Sequence, residues 1–489
     1  MEVTAARVTS GISGLDEVLR GGFVSGRMYL VCGDPGTGKT LLGMHFLEAG
    51  IENDETVLCI HGEESRDEIL MNGARVGINL DTVQFLDLGP NSEFFTEDRN
   101  YDLVEPGAVE RDRYTEEIHD AIRDINPDRV VLDPITQLRY IETNEHQFRK
   151  RILSFMRFLK ERNTTVIGTA TLSKDTEYQT EMRSLSDGVV RLSHTDRGRR
   201  LRVAKHRGFG QHDGSHGLAI RNDGVEVFPS LVPEQLDSSW ETRHIRSGLD
   251  NLDDLLGGGL ERGTVTFISG PTGVGKTTTA TQFLAEAATQ GIDSLAYLFE
   301  EGTDTFTHRS ESMGIPLSDL REEGTISLNA VEPLAQSAEE FAQRVQREID
   351  ETGSEIVLID GIDGYKMSIQ GSDSTLVEKI HALSRHLKNR DVTVLITDEI
   401  PQITGMTTAT SSNLSYIADN ILFLSYIETE GTLEKVIGVL KKRAGGFENA
   451  LREFDLDDGI HIGEPLTHAS GILQGTPQIN QGQRDQTDG

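Results

Sequence analysis

Lysine is scarce in this 489-residue chain: with 12 of them, 35 of the 47 basic side chains are arginine. Acids outnumber bases by 80 to 47 and the net charge is -33, spread along the whole length and not gathered in a tail. Basic stripes are missing too, nothing longer than RGRRLR (197–202) or KKR (441–443) occurring, which argues against nucleic acid as a partner. No apolar run approaches the length of a bilayer span, so no membrane segment is expected. The N-terminal MEVTAARVTSGISGLDEVL lacks a basic region followed by an apolar core and a cleavage site, so the chain reads as cytoplasmic. Cysteine is limited to Cys32 and Cys59, whose spacing suits neither zinc nor a redox pair; both read as small buried apolar residues. A surface this acidic repels itself in dilute buffer and is screened in concentrated salt, the setting of a halophilic archaeon.

What is present is a repeat. The length calls for two domains, and SGLDEVLRGGFVSGRMYLVCGDPGTGKT (13–40) returns as SGLDNLDDLLGGGLERGTVTFISGPTGVGKT (247–277). Four further blocks keep their order: HGEES (61–65) with FEEGT (299–303), RVVLD (129–133) with EIVLID (355–360), and TTVIGTAT (164–171) with VTVLITDE (392–399). The last is VVRLSHTDRGRRLRVAKHRG (189–208) with ILFLSYIETEGTLEKVIGVLKKRAG (421–445). Chance repeats do not keep order over such a span, so the domain is duplicated. The expected division is a first domain at 1–232, a linker at 233–244, a second domain at 245–466 and a disordered tail at 467–489, where Gly and Gln dominate.

Each copy alternates short β-branched runs with helical patterns, which predicts an α/β fold: a mainly parallel sheet with helices on both faces. The last two runs of each copy, joined by TDRG or ETEG, predict an antiparallel hairpin at the sheet edge. Ligands of such sheets sit at the C-terminal strand ends.

Both glycine-rich stretches satisfy G-x-x-x-x-G-K-[ST] between a strand and a helix, the context that makes the pattern specific for phosphate. The first cradle is Gly33, Asp34, Pro35, Gly36, Thr37, Gly38, Lys39 and Thr40, followed by Leu41. Its counterpart is Gly270, Pro271, Thr272, Gly273, Val274, Gly275, Lys276 and Thr277, followed by Thr278. Glycines let backbone N–H groups turn inward, Lys39 and Lys276 reach the β- and γ-phosphates, and Thr40 and Thr277 offer hydroxyls to Mg²⁺. Asp133 and Asp360 end apolar runs, where an acid is costly unless it holds a metal or its water; a helix cap is the alternative. The acid pairs Glu63–Glu64 and Glu300–Glu301 follow the second strand of each copy. Successive side chains of an extended segment point oppositely, so one of each pair faces the nucleotide; Glu63 and Glu300 are expected to be the general bases. No N-K-x-D guanine-reading motif occurs, which favours ATP over GTP.

This ordered set resembles the KaiC family of circadian-clock ATPases and their bacterial and archaeal relatives, over roughly residues 8 to 470. The resemblance implies two tandem RecA-like P-loop NTPase domains in a double-ring homohexamer, with ATP and Mg²⁺ between neighbouring subunits. Lys205 with Arg207, and Lys441 with Arg443, would then reach the γ-phosphate on the adjacent protomer as arginine fingers. It also implies that the first domain mainly hydrolyses ATP while the second phosphorylates its own side chains. The family's adjacent Ser and Thr acceptors fall on Ser415 and Tyr416, so the second acceptor departs from the pattern, and Arg183 stands at Ser415's place in the first copy. Ser415 alternatively reads as an ordinary serine beside a strand. Two other readings share the RecA-like core: a DNA-handling ATPase, for which the basic loops are missing, and a nucleotide-dependent assembly scaffold without kinase activity. The sequence names no signalling partner.

Overall fold

The computed structural model describes residues 6–88, 119–136, 145–171, 183–195, 198–232, 243–369, 373–401, 409–411, 414–429, 431–467, 469–470 and 478–479. Most of the expected linker (233–242) and of the expected disordered tail therefore lies outside the described residues. The chain forms two compact units, Met1–Ser230 and Leu231–Gly489.

In the first unit, β1 (Arg7–Val8) pairs with β2 (Phe23–Val24) beside a nine-stranded sheet. That sheet contains β3 (Met28–Gly33), β4 (Val57–His61), β5 (Gln84–Asp87), β6 (Arg129–Asp133) and β7 (Thr165–Thr171). It continues with β8 (Gly188–Thr195), β9 (Gly198–His206), β10 (His216–Arg221) and β11 (Gly224–Phe228). The spatial order is β11-β10-β9-β8-β3-β7-β6-β4-β5. Strands β5 to β8 of that order run parallel through β3, and β8 to β11 form an antiparallel wing.

The second unit repeats the plan. A short ladder of β12 (His244–Ile245) and β13 (Leu260–Glu261) accompanies a sheet of nine strands. These are β14 (Val265–Gly270), β15 (Ser294–Leu298), β16 (Ile326–Ala330), β17 (Ile356–Asp360), β18 (Thr393–Glu399), β19 (Asn420–Thr429), β20 (Thr432–Lys442), β21 (Arg452–Asp455) and β22 (His461–Pro465). Their order, β16-β15-β17-β18-β14-β19-β20-β21-β22, matches the first sheet strand for strand. The predicted hairpins are present as β8–β9 and β19–β20, but they do not form the edge: β10–β11 and β21–β22 extend each wing by two strands. Within the expected tail, β23 (Ala469–Ser470) pairs antiparallel with β24 (Gln478–Ile479).

Strand alternation divides each core in two. In β3, Tyr29 and Val31 face the glycine-loop helix Lys39–Glu52 through Leu42 and Phe46, while Leu30 and Cys32 face Phe155 and Leu159 of the helix Glu145–Glu161. Both cysteines are buried and free. One buried cation anchors this unit: the Arg129 guanidinium donates to the Thr9 and Phe46 carbonyls at 2.8 and 2.9 Å and pairs with Glu55.

Candidate functional sites

Both glycine-rich loops run from the central strand of a sheet into a helix that has no side-chain cap. The caps are Gly38 at φ 99° and Gly275 at φ 113°, a left-handed conformation that glycine reaches without steric penalty. First-turn N–H groups are thus left for a ligand, and the helix dipole favours an anion there. Lys39 Nζ lies across its own loop, donating to the carbonyls of Gly33 and Asp34 at 3.0 Å each. Lys276 Nζ donates to the Pro271 carbonyl at 2.9 Å. Burial pulls the Lys276 ammonium down, against the opposing fields of Glu399, Glu300, Asp360 and Asp398.

Asp360 is 2% exposed at the end of β17. One of its oxygens accepts from Thr277 Oγ1 and from Thr397 Oγ1, each at 2.8 Å. Burial pushes its carboxyl up, against those two hydrogen bonds. In the first unit Asp133 accepts from Thr169, the register counterpart of Thr397. Among the described residues no group of three or more His, Cys, Asp or Glu could hold a metal unaided. A hydroxyl and a carboxylate side by side, all oxygen donors, fit Mg²⁺ that takes its remaining ligands from phosphate and water.

The two members of each glutamate pair part company. Glu64 accepts from Asn72 at 3.1 Å, and Glu301 pairs with Arg309 at 2.5 Å. Each partner lies eight residues on, in the helices Arg66–Arg75 and Thr303–Ser312. The fields of the first members reach the loop lysines: Glu63, after Asp133 and Asp34, supports the Lys39 ammonium, and Glu300, after Glu399, supports that of Lys276. Glu300 packs so closely on Gly361 that a Cβ there would stand 2.7 Å from its Cγ. Burial, then Asp360 and Glu399, push the Glu300 carboxyl up.

Two acids of this site, Asp398 and Glu399, are not among the expected site residues. They end β18 beside Ser269 and Gly270, where the first unit has Ala170 and Thr171 beside Cys32 and Gly33. Paired acids terminating an apolar strand were the available signal.

The Lys-x-Arg segments occupy the other end of each sheet. Lys205 Nζ donates to the carbonyls of Arg183, Ser184 and Ser186 at 2.9, 3.0 and 2.6 Å. Lys441 Nζ donates to those of Ser415 and Ala418 at 2.8 and 2.7 Å. The Arg207 N–H donates to the Asp187 carbonyl, and the Asp187 N–H to that of Met28, at the start of β3. Arg443, Asp419 and Val265 repeat this at the start of β14. Each β3 or β14 strand has six residues, so roughly 17 Å separates these segments from the glycine loops at the opposite strand ends. Ser415 is half-buried in the 3-10 turn Leu414–Tyr416, whereas Tyr416 is 55% exposed. Beside Arg207 opens a cleft of about 250 Å³ that Arg157 and Lys160 also line. An equal cleft beside Arg443 is lined at the corresponding helix positions by Arg385 and Lys388, together with His381 and Tyr416.

No helix among the described residues is long and apolar enough to cross a membrane. The family described as ATPase: KaiC matches residues 8–232 and again 245–467. The chain is also 28% identical to the circadian clock oscillator protein KaiC of Picosynechococcus sp., covering 96% of this chain and 92% of that one. It is 27% identical to the protein of the same name from Parathermosynechococcus lividus, covering 96% and 87%. For the Acaryochloris marina protein the identity is 26%, with 97% and 92% covered. With two tandem matches over both sheets and both glycine loops, the chain belongs to the KaiC ATPase family.

Proposed function

We propose that the first unit hydrolyses Mg-ATP and that the second transfers the γ-phosphate to Ser415, with Tyr416 as the second hydroxyl, in a homohexameric ring that serves clock-like or other signalling. The observation that supports this most is the bond from Lys441 to the Ser415 carbonyl. It puts the acceptor turn on the same patch as Arg443, a full strand length from the glycine loop of its own chain. A unit with its glycine loop at one end of the sheet and this patch at the other would donate phosphate from one edge and accept it at a different one, the head-to-tail relation that closes into rings.

In this reading Thr277 and Asp360 hold Mg²⁺, which neutralises charge on the β- and γ-phosphates when bound. Lys276 and the uncapped helix start position the phosphates. Arg443 of the neighbouring copy stabilises the charge that builds on the transferred group. Glu300, raised by burial, takes the proton of the attacking hydroxyl. In the first unit the corresponding groups are Thr40 and Asp133, Lys39, Arg207 and Glu63, and water is the nucleophile because Arg183 replaces the acceptor. Glu64 and Glu301, bonded to the helices that follow, position the segment and support the base beside them. The acid surface suits a salt-rich cytoplasm.

Peptide-resolved mass spectrometry after incubation with Mg-ATP in concentrated salt tests this. Phosphate is expected on the 411–420 peptide at Ser415, absent from a Glu300→Gln chain. An unmodified peptide while ATP is consumed would overturn the kinase assignment and leave a doubled ATPase or an assembly scaffold.

A further inference from the structure

Ser411 and Ser415 are four residues apart, yet they belong to opposite ends of the second sheet. Ser415 lies beside Lys441, at the end where β14 begins. Ser411 is tied to the end where β18 finishes: its N–H donates to Asp398 Oδ2 at 2.8 Å and its hydroxyl to Asp398 Oδ1 at 2.5 Å. Asp398 stands in register with Ser269, the residue before the glycine loop, and its side chain is fully buried while Ser411 is exposed. Burial pushes the Asp398 carboxyl up, against the two hydrogen bonds from Ser411; the field of Asp363 adds to the push and that of Lys276 opposes it. The hydroxyl of an exposed serine, bonded to a buried carboxylate at the phosphate end of the sheet, has the arrangement of a nucleophile with its base.

We infer that Ser411 is a phosphoacceptor of the second unit, served by the glycine loop of its own chain with Asp398 as the base. The Ser411 Oγ forms a bond to the γ-phosphorus as the bond from that phosphorus to the β–γ bridging oxygen breaks. ADP leaves with that electron pair, and the hydroxyl proton passes to Asp398. The first unit has no such route, because Ala170 occupies the register position of Asp398. This inference rests on ATP binding at the second loop and differs from the transfer to Ser415 in being intramolecular.

The test is an equimolar mixture of ¹⁵N-labelled Lys276→Ala chain and unlabelled wild-type chain, incubated with Mg-ATP in concentrated salt and digested for mass spectrometry. Phospho-Ser411 is expected on the light peptide alone, whereas phospho-Ser415 is expected on heavy peptides too. Equal Ser411 phosphate on heavy and light peptides overturns the intramolecular assignment. Absence of Ser411 phosphate while Ser415 is labelled overturns the inference and leaves the proposed function standing. Failure of the wild-type second loop to bind ATP overturns both. A folded Asp398→Asn chain, checked by its melting transition, should carry no Ser411 phosphate; retention overturns the role of Asp398. Without any turnover, Ser411→Glu should weaken binding of a fluorescent non-hydrolysable ATP analogue to the second unit, because a like charge then faces the phosphates. Unchanged affinity overturns the placement of Ser411 at the nucleotide.

Discussion

If the finger acts on a neighbour, two dead chains should make a live ring. Arg207 sits at the start of β3 and the glycine loop at its end, roughly 17 Å apart along a six-residue strand, further than an arginine side chain reaches. The guanidinium is also held weakly, by the Ser184 carbonyl at 3.5 Å and by Asp187. Its contact with Asp187 is 3.9 Å with Arg207 56% exposed, while Arg27 holds the same carboxylate at 3.1 Å. Breaking so exposed a contact costs less than about 1 kcal/mol. Consider chains that carry Glu300→Gln to silence the second unit, one with Lys39→Ala added and the other with Arg207→Ala. Loss of an arginine finger lowers turnover by about 10³–10⁵, so Arg207→Ala alone should be nearly inactive. Lys39→Ala should be inactive for want of phosphate binding. Mixed in equal amounts and reassembled, about one interface in four joins an intact loop to an intact finger, so phosphate release should return to about a quarter of the Glu300→Gln parent. A mixture as inactive as its components would refute the intersubunit assignment. An Arg207→Ala chain that keeps the parent's turnover would refute the finger itself.

Three further outcomes follow from particular contacts. Gly275→Ala should abolish binding of a fluorescent ATP analogue in the second unit, because φ is 113° and the new Cβ would meet Leu456 Cδ1 at 2.8 Å and Phe454 Cε1 at 2.9 Å; Gly36→Ala, at φ 76° with open space around it, should lose only about tenfold, from a left-handed penalty of about 1–2 kcal/mol. Asp398→Asn should raise the melting temperature near neutral pH: burial raises the folded-state pKa, so the folded protein holds the extra proton, the penalty is absent below the ordinary carboxylate range, and it grows as pH rises through the raised value. The gap between variant and wild type should close on acidification, and a pH-independent gap would count against a buried charge. Arg129→Ala should destabilise the first unit by about 3–5 kcal/mol in denaturant titration, since it strips two buried carbonyls and Glu55 of their donor.

The parallel half of each sheet was legible because its strands are apolar on both faces, as the runs MYLVC and IVLID are, and because the duplicated order supports each assignment twice. The outer strands β10–β11 and β21–β22 were not. HGLAIR and REFD are short and partly polar, and periodicity in such segments does not distinguish strand from loop. Hence the hairpins looked like edges. At the site, the glycine loops, Asp133 and Asp360 are local motifs and could be read directly. The separation of the loop from the Lys-x-Arg segment could not, because it depends on which end of a strand a residue reaches, as the bonds from Arg207 to Asp187 and from Asp187 to Met28 show. Nor does sequence reveal that Asn72 and Arg309 engage the second glutamate of each pair, since that requires the helix to fold back over the strand end.

The two units share strand order, glycine loop, a strand-end aspartate and a Lys-x-Arg segment, so none of these would account for the different chemistry proposed for the two. Near the two ends of the sheet, two differences bear on the proposed chemistry. At the end of the strand beside the glycine loop the first unit has Ala170–Thr171 and the second Asp398–Glu399; beside the Lys-x-Arg segment the first has Arg183 where the second has Ser415. The first unit folds with an alanine at the first of these positions, so the fold does not require a carboxylate there. Burying one costs stability, as the upward push on Asp398 records. A group that the architecture does not need and that burial penalises is expected where it does chemistry, and here it holds a serine hydroxyl at the phosphate end of the sheet. On the proposed reading the duplicated scaffold separates two tasks by local substitution: both units would bind and split the nucleotide, and in the second an Asp398-bonded Ser411 and a Lys441-bonded Ser415 would receive the phosphate.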